Sequence, residues 1–110
     1  MDNKTKLDEL QKQHGEVVSF TTKAGQLFAF RRPTLEEFEQ YQQGMRKGQV
    51  GVTHREICQA TLVFPSAANG QPDTQALHAF FERAPLVSVR VSDELIVLSG
   101  DDIEVTVKKG

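Results

Sequence analysis

The sequence predicts an α+β domain, with an N-terminal helix and a β-hairpin followed by a small bundle of three to four helices. Three observations carry this. Apolar residues alternate with a period of two over residues 16–32, then recur every three or four residues from Leu35 onward. Strand-like and helix-like segments are segregated along the chain, which argues against a parallel-sheet nucleotide fold. The chain has 110 residues of which 38% are hydrophobic, enough for one small core and one domain of the usual ~100–200 residues.

Residues 4–14 read as a helix held by Leu7 and Leu10, with Gly15 at the position where helices stop. Val18, Phe20 and Thr22 alternate with Val17, Ser19 and Thr21. After the turn signal Lys23-Ala24-Gly25-Gln26, Phe28 and Phe30 alternate with Leu27, Ala29 and Arg31. This predicts a hairpin over about 16–32 that packs through Phe20, Phe28 and Phe30 and turns its Lys and Arg outward. Pro33 ends the second strand.

Thr34-Leu35-Glu36-Glu37 is a capping-box pattern, and Leu35, Phe38, Tyr41 and Met45 then make one face of a helix over about 35–46. Gly44 weakens its last turn and Gly48 ends it. Residues 49–52 read as a loop before a second capping box, Thr53-His54-Arg55-Glu56. The helix it opens carries Ile57, Ala60, Thr61 and Phe64 on one face and runs to Pro65. Residues 66–72 read as a flexible connection. Asp73 or Thr74 caps a helix through Arg83 whose apolar side is Ala76, Leu77, Phe80, Phe81 and Ala84. Pro85 opens the next element. Residues 86–98 fit two patterns: Val87, Val89 and Val91 alternate as in a strand, while Val87, Val91, Leu95 and Leu98 share a helical face. Length and the terminal Ser99-Gly100 favour helix. The helical part thus spans about 34–99 of a single domain over 1–100. In the tail, 101–110, Ile103, Val105 and Val107 alternate with Glu104 and Thr106, which reads as either a weak strand or an unstructured end.

Composition narrows the function. A net charge of -2 and a pI near 5.9 speak against a sequence-independent grip on nucleic acid. No apolar run nears the ~20 residues of a membrane helix. One cysteine rules out an internal disulfide framework, and no secretory leader pattern is present. A reducing compartment follows.

Catalytic patterns are weak. His54 and Cys58 stand one helical turn apart, but Cys58 sits beside Ile57 and Leu62, where a cysteine behaves as a small hydrophobe. The acid pairs Glu36-Glu37, Asp93-Glu94 and Asp101-Asp102 read as caps and solvated ends. No glycine-rich phosphate loop and no metal-ligand spacing occurs. Arg31-Arg32 and Arg46-Lys47 read as a solvated rim. No cofactor is expected.

The apolar stripes matter more. There are 7 phenylalanines in a chain that buries only ~60–70% of its unfolded surface. Core is the default for each ring, yet the set leaves surface for a partner or for a second copy in a homo-oligomer. The candidate partner-binding residues are Leu35, Phe38, Tyr41 and Met45 on one stripe and Leu77, Phe80 and Phe81 on the other.

From Phe30-Arg31-Arg32-Pro33-Thr34-Leu35-Glu36-Glu37-Phe38-Glu39-Gln40-Tyr41, the chain resembles the short tail assembly chaperones of long-tailed bacteriophages and prophages. The order of the remaining motifs agrees over about residues 4–100: the leader Lys6-Leu7-Asp8-Glu9-Leu10, the segment Leu62-Val63-Phe64-Pro65, and a closing element from Pro85-Leu86 to Leu98-Ser99-Gly100. The resemblance implies a non-enzymatic protein of the host cytoplasm. Such a protein coats the aggregation-prone tape-measure protein and helps recruit tail-tube subunits, partly through a longer product made by ribosomal frameshifting. Lys108-Lys109 near the end fits a slippery A-rich run. An amphipathic helical client calls for an apolar groove with a polar rim. The competing expectations are a minor tail or connector protein retained in the virion, with a stable ring interface, and, last, a small enzyme.

Overall fold

A computed structural model describes residues 2–100. The chain is α+β, as the segregated periods predict, with five helices and three strands among the described residues. Helix α1 (Asn3–His14) is capped by Asp2, whose side chain accepts from the Thr5 N–H, and it ends at Gly15 with φ of 78°. That positive φ is why glycine stands there. Strands β1 (Val17–Thr21) and β2 (Leu27–Arg31) form the antiparallel hairpin, with Val18 opposite Phe30 and Phe20 opposite Phe28. Its turn closes through Thr22 N–H to Gln26 O, and Asn3 ties α1 to the Gly25 carbonyl.

Helix α2 (Leu35–Arg46) starts at the predicted capping box: Thr34 accepts from Glu37 N–H while the Glu37 carboxylate accepts from Thr34 N–H. Helix α3 (Val50–Thr61) corrects the sequence reading at both ends. It begins before Thr53, so residues 50–52 are helix, not loop, and Thr53 to Glu56 is no cap. Thr53 is buried against Gly44 of α2, where a side chain would collide with the Thr53 hydroxyl and come within 2.9 Å of its methyl. Packing between α2 and α3 thus places Thr53 inside the helix and explains Gly44. At the other end the helix stops at Thr61. Leu62–Phe64 form strand β3, which pairs antiparallel with β2, Phe30 opposite Leu62 and Ala29 opposite Phe64. The residue before proline disfavours helix, and the open edge of β2 supplies the partners that continued helix would have lacked.

Residues 66–72, expected to be flexible, are internally hydrogen-bonded: Ser66 bridges Pro72, Ala67 N–H reaches Gln71 O, and Asn69 accepts from Gln71 N–H. Helix α4 (Thr74–Arg83) is capped by Asp73 through Ala76 N–H, and α5 (Pro85–Leu98) opens on Pro85. The Val-rich run is therefore helical. The tail, with its strand-or-coil alternative, lies outside the described residues.

The sheet order is β1-β2-β3, so β2 is central. On one face, Phe28 and Phe30 join Ile57, Cys58, Leu62, Leu77, Phe81, Val91 and Leu95 in the main core. On the other, Leu27 and Ala29 are equally buried, and α1, which lies against both hairpin strands, contributes buried Leu10. Arg31, expected to face water, instead forms a bidentate pair with Glu37 at 2.8 and 2.9 Å and donates to Ala60 O at 2.9 Å. One guanidinium thereby joins the end of β2, the start of α2 and the end of α3. Among the described residues, no helix is long and apolar enough to cross a membrane.

Candidate functional site

The residues that resemble catalytic parts are closed. Cys58 is fully buried, its thiol donates towards Ser88 O at 3.6 Å, and burial pushes its pKa up to about 12. Such a group stays a thiol, not a nucleophilic thiolate. His54 lies in the seam between α3 and α5 with Nδ1 on Ser92 Oγ. Since the Ser92 hydroxyl donates to Val89 O, the pair is satisfied by His54 Nδ1–H donating to Ser92. Both residues are buried, so this hydroxyl is neither accessible nor free to attack. The pair is a polar bolt between two helices. No group of three or more His, Cys, Asp and Glu converges among the described residues in a way that could hold a metal ion.

What the fold does expose is an open groove of about 830 Å³ between β1, the hairpin turn, α4 and α5. Its floor is aromatic. Phe20 stacks on Phe28 at 5.1 Å and meets Phe80 at 5.3 Å, and Phe80 lies 5.7 Å from Phe28 and 6.5 Å from Phe81. The inner rings Phe28 and Phe81 are buried, and the outer rings Phe20 and Phe80 are half-buried. Val87 and Val91 continue the floor along α5, and the rim carries Lys23, Arg83, Arg90, Asp93 and Glu94. This is the apolar-floor, polar-rim form of a peptide groove.

The groove exists because β1 is an edge strand. Alternation puts Val18 and Phe20 on the helix side of the sheet, while β2 occupies only one of the edges of β1. Phe80 reaches the groove because α4 presents Leu77 and Phe81 to the core, which turns Phe80 towards the hairpin.

The sequence-predicted partner residues divide accordingly. Phe80 lines the groove. Leu77 at 0% and Phe81 at 2% exposure are core and present no surface to a partner, because α4 has one buried face and these two residues occupy it. Leu35 stands 73% exposed on the first turn of α2, whereas Phe38, Tyr41 and Met45 are half-buried. Tyr41 packs on the core and lies 6.0 Å from the His54 ring; burial first, and the charge of Asp93 second, raise its pKa. The two stripes therefore do not merge into one exposed ridge. Phe20, Val87, Arg83 and Arg90 were not among the sequence candidates. The signal that would have found Phe20 is an aromatic in the hairpin strand whose other positions are Val, Ser and Thr, the composition of an edge.

No family model matches the chain, and no curated protein matches it. Among solved structures, it is similar to the uncharacterised protein rbstp2171 from Bacillus stearothermophilus, with a TM-score of 0.64 and 17% identity over 92% of this chain and 98% of that one. At that identity the likeness shows a shared fold, and it extends over nearly the whole of both chains.

Proposed function

We propose that this chain is a non-enzymatic tail assembly chaperone of a long-tailed phage or prophage, acting in the host cytoplasm. It binds amphipathic segments of the tape-measure protein, keeps them from aggregating, and helps recruit tail-tube subunits. The observation that carries this reading is the groove beside β1, apolar on its floor through Phe20, Phe80, Val87 and Val91 and charged on its rim. Support comes also from the ordered resemblance over residues 4–100. A site of this kind takes a helical or extended client by many individually weak contacts, and repetition along the client supplies avidity while tube subunits can still displace each copy.

The reading requires a tape-measure gene directly downstream of the gene for this chain, and the test is co-expression with the product of that gene. The chaperone raises the soluble fraction of that protein and co-purifies with it, and Phe80→Ala lowers both while circular dichroism stays unchanged. A wild-type chain that neither solubilises nor co-purifies with the client overturns the reading. Recovery of the chain in stoichiometric amount from purified particles would favour the connector alternative.

A further inference from the structure

The outer edge of β1 carries backbone groups that β2 does not use. The bond from Thr22 N–H to Gln26 O fixes the phase of the hairpin ladder. Counting back by twos in the register, Phe20 and Val18 point their N–H and C=O at β2, and Val17, Ser19 and Thr21 point theirs away from it. Among the described residues β1 pairs with β2 alone, and Ser19 and Thr21 are exposed. An edge of this kind is a template for a further strand.

The groove beside that edge is charged in order along its length. Glu94, Val97 and Leu98 share a small cleft with Val17, Val18 and Ser19, so the end of α5 lies by the start of β1. The start of α5, with Arg83 just before it, therefore lies towards the hairpin turn, where Lys23 lines the groove. Positive charge (Lys23 and Arg83, then Arg90 one or two turns on) thus occupies the turn end, and Asp93 and Glu94 occupy the other. Among the described residues none of these five side chains forms an ion pair, so their charge is left for a ligand.

We propose that the groove takes its client as an extended strand added antiparallel to the outer edge of β1, with acidic side chains at the N-terminal end of that strand and basic side chains at its C-terminal end. The inference rests on the reading of this groove as the client site and specifies the conformation and charge order of what enters it. Ser19 and Thr21 offer donors and acceptors to the new ladder, which gives affinity without regard to sequence. Alternate client residues face the groove, where Phe20, Phe80 and Val87 receive apolar side chains. The antiparallel direction continues a sheet whose two existing pairings are both antiparallel, and it is the more stable pairing per residue. In that direction the first client residues meet Lys23 and Arg83, and the last meet Asp93 and Glu94. From Val87 to Glu94 the helix rises ~10 Å, the length of about three strand residues, so a short alternating core spans the two charged ends. A helical client would use the aromatic floor and leave the edge N–H groups to water.

The probe is a capped nine-residue peptide with two aspartates, an alternating valine–serine core and two lysines, in that order. Its control carries the lysines first and the aspartates last. Amide hydrogen exchange on the full chain at ~2 mM of the first peptide should slow Ser19 and Thr21 N–H at least about threefold, as a Kd of ~1 mM or tighter gives. The control should bind at least about fivefold more weakly. Lys23→Glu with Arg83→Glu, both exposed, should abolish that preference, because both ends of the groove are then acidic. The amides of Phe30 and Leu95 report that the fold is intact. Four results overturn the proposal: no protection by the first peptide, peptide binding without protection of Ser19 and Thr21, equal affinity for the two peptides, or a preference that survives the double substitution. Co-purification of the tape-measure protein is read separately. If it persists and still depends on Phe80 when one of these results appears, the client reading stands and its extended mode falls. If the peptides behave as expected and co-purification fails, the mode stands and the client is another protein.

Discussion

The two strands of the hairpin have the same length and face each other residue for residue, yet they live in different environments. In β2, Leu27, Phe28, Ala29 and Phe30 are all buried; in β1 no residue is. Composition already marks the difference, since Ser19 and Thr21 flank Phe20 in β1 while β2 is apolar from Leu27 to Phe30. The difference arises because β3 joins β2 on its second edge, while α1 and the α3–α5 layer cover both its faces. The strand left at the edge keeps its phenylalanine half-exposed and lines the groove. The protein thus places buried rings in one strand and an open groove beside its neighbour.

The most direct way to break this comparison is to truncate the two rings. Phe30→Ala empties a fully buried site and should cost about 3–5 kcal/mol, read as a shift in the urea midpoint. Phe20→Ala removes a half-buried ring and should cost less, about 1–2 kcal/mol, while reducing co-purification of the client. Equal losses for the two would mean that β1 is as sequestered as β2 and that the groove is no surface at all.

Gly44→Ala sharpens the comparison from another side, since α2, like β1, has no fully buried residue. Helix propensity favours alanine by roughly 0.5–1 kcal/mol, but the new methyl meets Thr53, and overpacking should win with a net loss of about 1–3 kcal/mol. Thr53→Ala in the same chain should recover part of it. A stabilised Gly44→Ala protein would show that the α2–α3 contact is loose. The sequence made the glycine visible as a weak point in a helix, and only the neighbouring helix shows why it is there.

That contrast describes what was legible in general. The Thr34–Glu37 capping box was readable because both partners sit within four residues. The burial of Phe28 and Phe30 was readable from the period of two. Strand β3 was not, because Leu62 and Phe64 prolong the apolar pattern of α3 and their partner β2 lies far upstream in the chain. The false cap at Thr53 had the right letters, but burial against Gly44 overrode them. The groove depends on Phe20 and Phe80 meeting across the fold, which no local pattern encodes, and the inward turn of Arg31 depends on where α2 begins.

Glu37 comes next in size. Its carboxylate accepts two bonds from Arg31 and one from Thr34 N–H, and the Arg31 hydrogen bonds, more than any other cause, hold its pKa below the usual carboxylate value. A depressed folded-state value means stability that is present above the unfolded pKa of ~4.3 and lost as pH falls through the lower folded value. Glu37→Gln should cost about 1–2 kcal/mol near neutral pH and flatten the acid limb of the stability curve. An unchanged acid limb would place the Arg31–Glu37 pair among the ion pairs that contribute nothing measurable, and with it the link between β2 and the two helices.

The smallest expected effects belong to the residues that most resemble a docking surface. Leu35 and Leu86 are 73% and 76% exposed, each on the first turn of its helix. Replacing either with serine removes no buried contact, so stability should move by no more than about 0.5 kcal/mol. If α2 and the start of α5 extend the client-binding surface beyond the groove, each substitution nevertheless weakens co-purification, and the double substitution weakens it further. A loss of binding without a loss of stability separates surface from core here, in the way that Phe20 and Phe30 separate them within the hairpin. Full binding by the double variant would confine the client to the groove beside β1, where Phe80 alone of the sequence-predicted residues lies.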